Sequence, residues 1–168
     1  MVKRYIDFDD VIVNTEDLLF VEYKKLKSQG FNVDKIKYMQ EYDWYNMLCN
    51  CEVISDAIEI LKGMRDAIIL TKIHSMENEG VAKIKFLREN GISNDIILSP
   101  YLVKKTEMVN PKGNILVDDS IANLNDWYQN GGIPIFFNKD GIDFDSWGVC
   151  NERYLKIRTL EELRNLHF

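Results

Sequence analysis

Three carboxylates crowded into an apolar run are the residues of this chain that most plainly invite chemistry. The stretch Arg4-Tyr5-Ile6-Asp7-Phe8-Asp9-Asp10-Val11-Ile12-Val13-Asn14-Thr15 sets Asp7, Asp9 and Asp10 between β-prone flanks that favour burial. Like charges this near raise one another's pKa unless a cation neutralises them, so something positive is expected beside them. Further along, Thr71 closes the apolar run Ala67-Ile68-Ile69-Leu70, Lys104-Lys105 precedes the run Asn114-Ile115-Leu116-Val117, and Asp118-Asp119 follows it. Carboxylates at two strand ends suit a hard, oxygen-liganded cation such as Mg²⁺, which takes few protein ligands and keeps water and phosphate oxygens for the rest. A hydroxyl and an ammonium beside it suit a phosphate. Taken singly, an Asp-Asp can be a solvated cap, a Thr can merely end a strand, and Lys-Lys is usually a solvated face. In this order along one chain they point to phosphoryl chemistry.

Those residues need elements to hold them. Residues 3–8 read as a first strand that aims Asp7 from its C-terminal end. Asn14 or Thr15 then caps a helix carrying Leu19, Tyr23 and Leu26 at helical spacing, with Phe20 and Tyr23 expected in its core and Gly30 as its stop. An aromatic-rich helical stretch follows (Ile36, Tyr38, Met39, Tyr42, Trp44, Tyr45, Met47), and then a stripe of Val53, Ile54, Ala57, Ile58 and Leu61 ending at Gly63. From there strands and helices alternate. Strands are expected at 67–71, 95–99, 114–117 and 133–137. Between and after them come helices from Ser75 through Val81, Ile84 and Leu87, from Ser120 through Ile121, Leu124 and Trp127, and over 160–166. The alternation implies an α/β fold, a doubly wound parallel sheet with ligands at the carboxyl ends of its strands. The first two strands are separated by far more than the dozen or so residues a crossover needs. The excess predicts a small helical cap over residues 15–64, inserted after strand 1 into an α/β core of residues 1–14 and 65–168.

Composition narrows the function. A net charge of −6 on 168 residues argues against a nucleic-acid polymer or an anionic membrane as partner, but not against a small anion held by a metal. No run approaches the roughly 18 apolar residues of a membrane span, and no signal-type apolar segment opens the chain, so a cytoplasmic protein is expected. Cys49-x-Cys51 lacks a second pair to complete a zinc site, with only Cys150, His74 and His167 elsewhere; reduced thiols are expected.

Asp7-Phe8-Asp9-Asp10-Val11, Leu70-Thr71, Lys105 and Val117-Asp118-Asp119 resemble the four ordered motifs of the haloacid dehalogenase (HAD) superfamily of phosphotransferases. The insert after the first motif and the stretch Ile115-Leu116-Val117-Asp118-Asp119-Ser120 are most similar to the 5′(3′)-deoxyribonucleotidase group. The resemblance implies a Rossmann-like core and a Mg²⁺-dependent phosphomonoester hydrolase acting through an aspartyl-phosphate. Asp7 would be the nucleophile and Asp9 the general acid and base, and strand alternation would bring Asp9 back to the side of Asp7. The metal would be held by the Asp7 carboxylate, the Asp9 carbonyl and Asp118, with Asp119 in or behind that shell. Thr71 and Lys105 would bind the phosphate, with Lys104 and then Lys112 as alternatives for the lysine. Two departures stand out. Asp10 replaces the family's common Gly and is expected to face solvent, and Lys72 follows Thr71 where a small residue is usual. Lys72 and His74 are expected to be loop residues.

In the family such a cap selects the leaving group, so Trp44 and Tyr45, with Tyr42, are candidates to stack a nucleobase, or else form the cap's own core. The expected partner is a small phosphomonoester, a (deoxy)nucleoside monophosphate on the nucleotidase resemblance, with a sugar phosphate as the alternative. Two readings from other classes compete: a receiver-type phospho-accepting module and a HAD-like binding domain without activity. A receiver takes its phosphoryl group on an Asp after strand three, where this chain has Ser99-Pro100, and the presence of every motif residue argues against lost activity.

Overall fold

Strand β1, Arg4–Ile6, is short, and the whole sheet is built around it. It pairs in parallel with β2 (Ala67–Ile73) on one side and β4 (Ile115–Asp118) on the other. The computed structural model describes residues 2–141 and 154–166, so Cys150 and His167 lie outside the described residues. With β3 (Asp95–Pro100), β5 (Ile133–Phe137) and β6 (Leu155–Ile157) the sheet runs β3-β2-β1-β4-β5-β6, every neighbour parallel. This is the doubly wound α/β arrangement expected. Its order differs from the 2-1-3-4-5 order of receiver-type folds, which removes that rival. The winding reverses between β1 and β4, and such a switch point opens a crevice at the strand C-termini. Five of the strands follow from apolar runs; β6, only three residues with Lys156 in the middle, offered no such run.

Beyond Ile6 the chain does not continue as strand. Phe8, Val11, Ile12 and Val13 are all fully buried in a tight turn, in which Ile12 N donates to Phe8 O at 2.9 Å and Asp10 N to Val13 O at 2.8 Å. Asp10 takes a positive φ of 54° there. Only glycine adopts that region freely, with Asp and Asn next best, which supplies a backbone reason for the family's preference at this place.

Helices α1 (Glu16–Ser28), α2 (Lys35–Glu41), α3 (Trp44–Asn50) and α4 (Ala57–Gly63) make up the insert. Asp34 and Asp43 cap α2 and α3, accepting from Lys37 N at 2.8 Å and Asn46 N at 3.2 Å. These helices share the core of the sheet. Met39, Trp44, Met47 and Leu48 belong to the same apolar cluster as Ile6, Phe8, Ile69 and Val117, and α4 packs on the C-terminal helix α8 (Leu160–Arg164).

A π turn over Met76–Gly80, in which Gly80 N donates to Ser75 O at 2.9 Å, leads into α5 (Val81–Glu89). The extra residue rotates the helix face. Ala82, Lys83, Phe86 and Leu87 point inward, while Val81 and Ile84, through which the helix was expected to run, are exposed. Helix α6 is a single turn, Lys105–Met108, and α7 runs Ile121–Gln129, with Trp127 buried against Tyr5 of the central strand and donating to Asn114 O at 2.9 Å. No described helix is long and apolar enough to cross a membrane.

Candidate active site

Sheet register decides where the carboxylates meet. Ile6 pairs with Val117, so the next residues, Asp7 and Asp118, stand side by side at the switch point, and Asp7 N donates to Val117 O at 2.9 Å. Helix α6 begins at the same place and brings in Lys105, whose Nζ lies 2.9 Å from Asp7 Oδ1 and 2.6 Å from Asp118 Oδ2. All three side chains are buried. Asp118 is held further by Ser120 N at 2.8 Å and by Asn123 Nδ2 at 3.0 Å. Ser120 precedes α7 as expected but gives that helix no side-chain cap. One carboxylate oxygen from each of Asp7, Asp118 and Asp119 lies within 4.8 Å of the others.

This cluster is short of positive charge. Burial pushes the Asp7 carboxyl up to about 7; Lys105 opposes the shift, and Asp118 and Asp9 add to it. Burial, then the charges of Asp118, Asp7 and Asp10, hold Asp119 well above the usual carboxylate range. Burial alone would lower Lys105, but Asp118 and Asp7 outweigh it and keep the ammonium charged. One lysine faces three carboxylates, all hard oxygen donors on converging strand ends, and that set fits a divalent cation such as Mg²⁺.

Asp9 belongs to a second group. β1 ends at Ile6, so a turn rather than continued strand carries Asp9, which stays near enough for its charge to raise the Asp7 pKa while it borders the neighbouring cavity. Its Oδ1 accepts from Thr15 Oγ1 at 3.0 Å, which is why Thr15 precedes α1 without capping it. Its Oδ2 accepts from Lys83 Nζ at 2.6 Å and lies 3.4 Å from Thr71 Oγ1. Lys83, fully buried, also donates to Thr71 Oγ1 at 3.2 Å and to Lys72 O at 2.9 Å, and pairs with buried Glu79 at 2.8 Å. Glu79 in turn accepts from His74 N at 2.7 Å, and His74 stacks on Tyr101 with ring centroids 4.5 Å apart. Burial would lower the Lys83 pKa, but Asp9 and Glu79 more than offset it, so the ammonium persists.

Sequence reasoning missed Lys83 and Glu79. Charged residues on an amphipathic helix read as its solvated face, and the π turn shifts the phase of the helix so that Lys83, outside on a regular winding, turns inward. Their i, i+4 spacing was the available signal.

Several expectations need correction. Asp10 does not face solvent: it is buried, and Lys139 Nζ reaches it at 2.8 Å. Lys104 lies on the surface, paired with Asp126 at 2.6 Å, and Lys112 is exposed away from the cluster, so Lys105 is the lysine at the carboxylates. Lys72 belongs to β2 rather than a loop, and with His74 it borders the cavity next to Asp9. That cavity, about 190 Å³, is walled by Leu19, Phe20, Met39 and Trp44 of the insert and closed below by Asp9 and Asp119. Phe20 therefore lines a site instead of packing into the helix core. Trp44 is there but 1% exposed, its Nε1 donating to Met39 O at 2.7 Å. Tyr45 is elsewhere, on the outer surface, with Lys85 Nζ 3.7 Å above its ring and its hydroxyl 3.4 Å from Glu89. Cys49 and Cys51 are free thiols, and burial raises Cys51 to about 11.

Solved structures share this architecture. A magnesium-bound HAD hydrolase of Bacillus subtilis superposes with a TM-score of 0.61 at 14% identity, covering 98% of this chain and 99% of its own. The D,D-heptose 1,7-bisphosphate phosphatase of Burkholderia thailandensis gives 0.56 at 12% identity over 99% and 100%. A phosphonoacetaldehyde hydrolase-like protein of Oleispira antarctica gives 0.59 at 11% identity over 96% and 89%. The chain has the fold of the HAD hydrolases. No family model matches the chain, and no curated protein matches it in sequence. Identities this low speak for the HAD fold alone.

Proposed function

We propose that this chain is a Mg²⁺-dependent phosphomonoester hydrolase of the HAD type, working through an aspartyl-phosphate on Asp7. The observation that carries the reading is the convergence of Asp7, Asp118, Asp119 and Lys105 at the β1–β4 switch point, with Asp9 at the floor of the adjoining cavity. Asp7, Asp118 and the Asp9 carbonyl would hold the cation, with Asp119 beside them; bound there, it supplies charge that lets the phosphoryl group approach a carboxylate. The Asp7 carboxylate attacks phosphorus, the bond to the leaving oxygen breaks, and Asp9 gives that oxygen its proton. Asp9 then takes a proton from water as the water attacks phosphorus, releasing phosphate and restoring Asp7. Lys105 offsets the charge between nucleophile and phosphoryl oxygens, and Thr71 offers a hydroxyl beside Asp9.

For the leaving group the cavity offers the half-buried ring of Phe20 beside the polar groups of Thr15, Lys72 and His74. A nucleobase could stack on the ring, and the polar groups could pair with sugar hydroxyls, so a (deoxy)nucleoside monophosphate and a sugar phosphate are the two substrate classes to separate. The test is a panel of purine and pyrimidine 5′- and 3′-monophosphates, sugar phosphates and p-nitrophenyl phosphate, with Mg²⁺ and with chelator. Mg²⁺-dependent turnover that Asp7→Asn abolishes is expected; wild-type turnover retained in that variant removes the assignment.

A further inference from the structure

The linked groups Asp9–Lys83–Glu79–His74, buried at Lys83 and Glu79, are given no role in the steps above, yet one end of the chain grips the residue assigned to proton transfer. A fully buried lysine surrounded by partners this close is an expensive thing to maintain, because each ion must be desolvated and breaking the pair leaves a charge uncompensated. Its Nζ spends its hydrogen bonds on Asp9 Oδ2 at 2.6 Å, Lys72 O at 2.9 Å and Thr71 Oγ1 at 3.2 Å, with Glu79 Oε1 at 2.8 Å completing the shell. The rings of Phe8 and Trp44 flank it at 5.3 Å and 5.2 Å. Glu79 is fixed from behind by the backbone and ring of His74. With Oδ2 pinned by Lys83 and Oδ1 touched by Thr15, the carboxyl of Asp9 has one orientation, at the floor of the cavity that would receive the leaving group.

We infer that Lys83, braced by Glu79, is a positioning residue that orients Asp9 toward the leaving-group oxygen and so sets how well this site expels poor leaving groups. The inference rests on the proposed phosphatase reading. It sorts substrates by chemistry. An ester whose leaving group departs as a stable anion needs little from Asp9, whereas a phenyl or alkyl ester needs its proton.

The test is a series of aryl phosphates from 2,4-dinitrophenyl through p-nitrophenyl to phenyl phosphate, with kcat/KM measured for the wild type, Lys83→Met and Lys83→Met/Glu79→Gln. The double variant removes both buried charges while the Gln amide oxygen still accepts from His74 N, so it keeps the experiment interpretable where the single variant fails to fold. The wild type is expected to depend weakly on leaving-group pKa. The variants are expected to lose a few-fold on the dinitrophenyl ester and roughly 10²-fold or more on phenyl phosphate, the scale of general-acid assistance. An equal loss across the series, no loss, or a wild-type dependence as steep as the variants' overturns the inference while leaving the phosphatase reading intact. No wild-type turnover of any ester overturns both.

Discussion

Replacing Asp7 by Asn should abolish turnover and, in metal-free protein, make the fold more stable. The carboxyl moves from 3.8 to about 7 on folding, chiefly through burial. The sign follows from linkage: well below pH 4 the group is protonated in both states and costs nothing, between about pH 4 and 7 the unfolded chain gives up the proton that the folded chain keeps and the cost grows, and above about 7 the cost is constant. Three pKa units correspond to about 4 kcal/mol at pH 8, an upper bound because side chains and water relax around a buried ion. Half of that, about 2 kcal/mol, is a reasonable expectation for an amide of the same shape. For a chain of this size it corresponds to a rise in Tm of roughly 4–8 °C. The assay is a thermal melt of both proteins in chelator from pH 4 to pH 8. The difference should be near zero at the acid end, open between about pH 4 and 7, and level off above that. Mg²⁺ should then raise the wild type more than the variant, since a ligand stabilises by its affinity for the folded state. An Asn variant less stable than wild type at pH 8 in chelator, or a gap that does not change with pH, would show that Asp7 is not held under charge crowding and would refute the reasoning.

Three further outcomes are expected. Lys105→Ala should cut kcat/KM by roughly 10²–10³, whereas Lys104→Ala, which loses only a surface pair with Asp126, should stay within about twofold of wild type in the same assay. Gly132→Ala should destabilise by about 2–3 kcal/mol in a urea melt, because the new Cβ would stand 2.2 Å from the Trp127 ring and 3.0 Å from Pro111 O. At Asp10, where φ is 54°, Asp10→Asn should fold and Asp10→Val should be strongly destabilised, as read by circular dichroism melts.

The doubly wound sheet was legible because buried parallel strands leave continuous apolar runs, and Asp7 and Asp118 were legible because register brings strand ends together whatever lies between; Lys105, on α6, was picked out from Lys104 and Lys112 by the resemblance. What escaped the sequence depends on phase and on tertiary partners. Asp10 reads as a solvated charge until Lys139, more than a hundred residues away, is seen to cover it. Tyr45 and Trp44 are adjacent, yet on a helix that adjacency turns one toward the cavity and the other toward solvent. The pair Glu79 and Lys83 looked like ordinary helix-surface spacing, and only the packing of α5 beneath the insert makes it interior.

The π turn at Met76–Gly80 makes the inner lysine a matter of counting. Deleting one residue from that turn would let the helix wind regularly and would rotate everything after it by about 100°, carrying Lys83 out of the interior without substituting any residue of α5. Length, at this one turn, is as much a determinant of the site as residue identity. Relatives that differ here by a single insertion or deletion would present a different wall to Asp9 while keeping every motif residue in place.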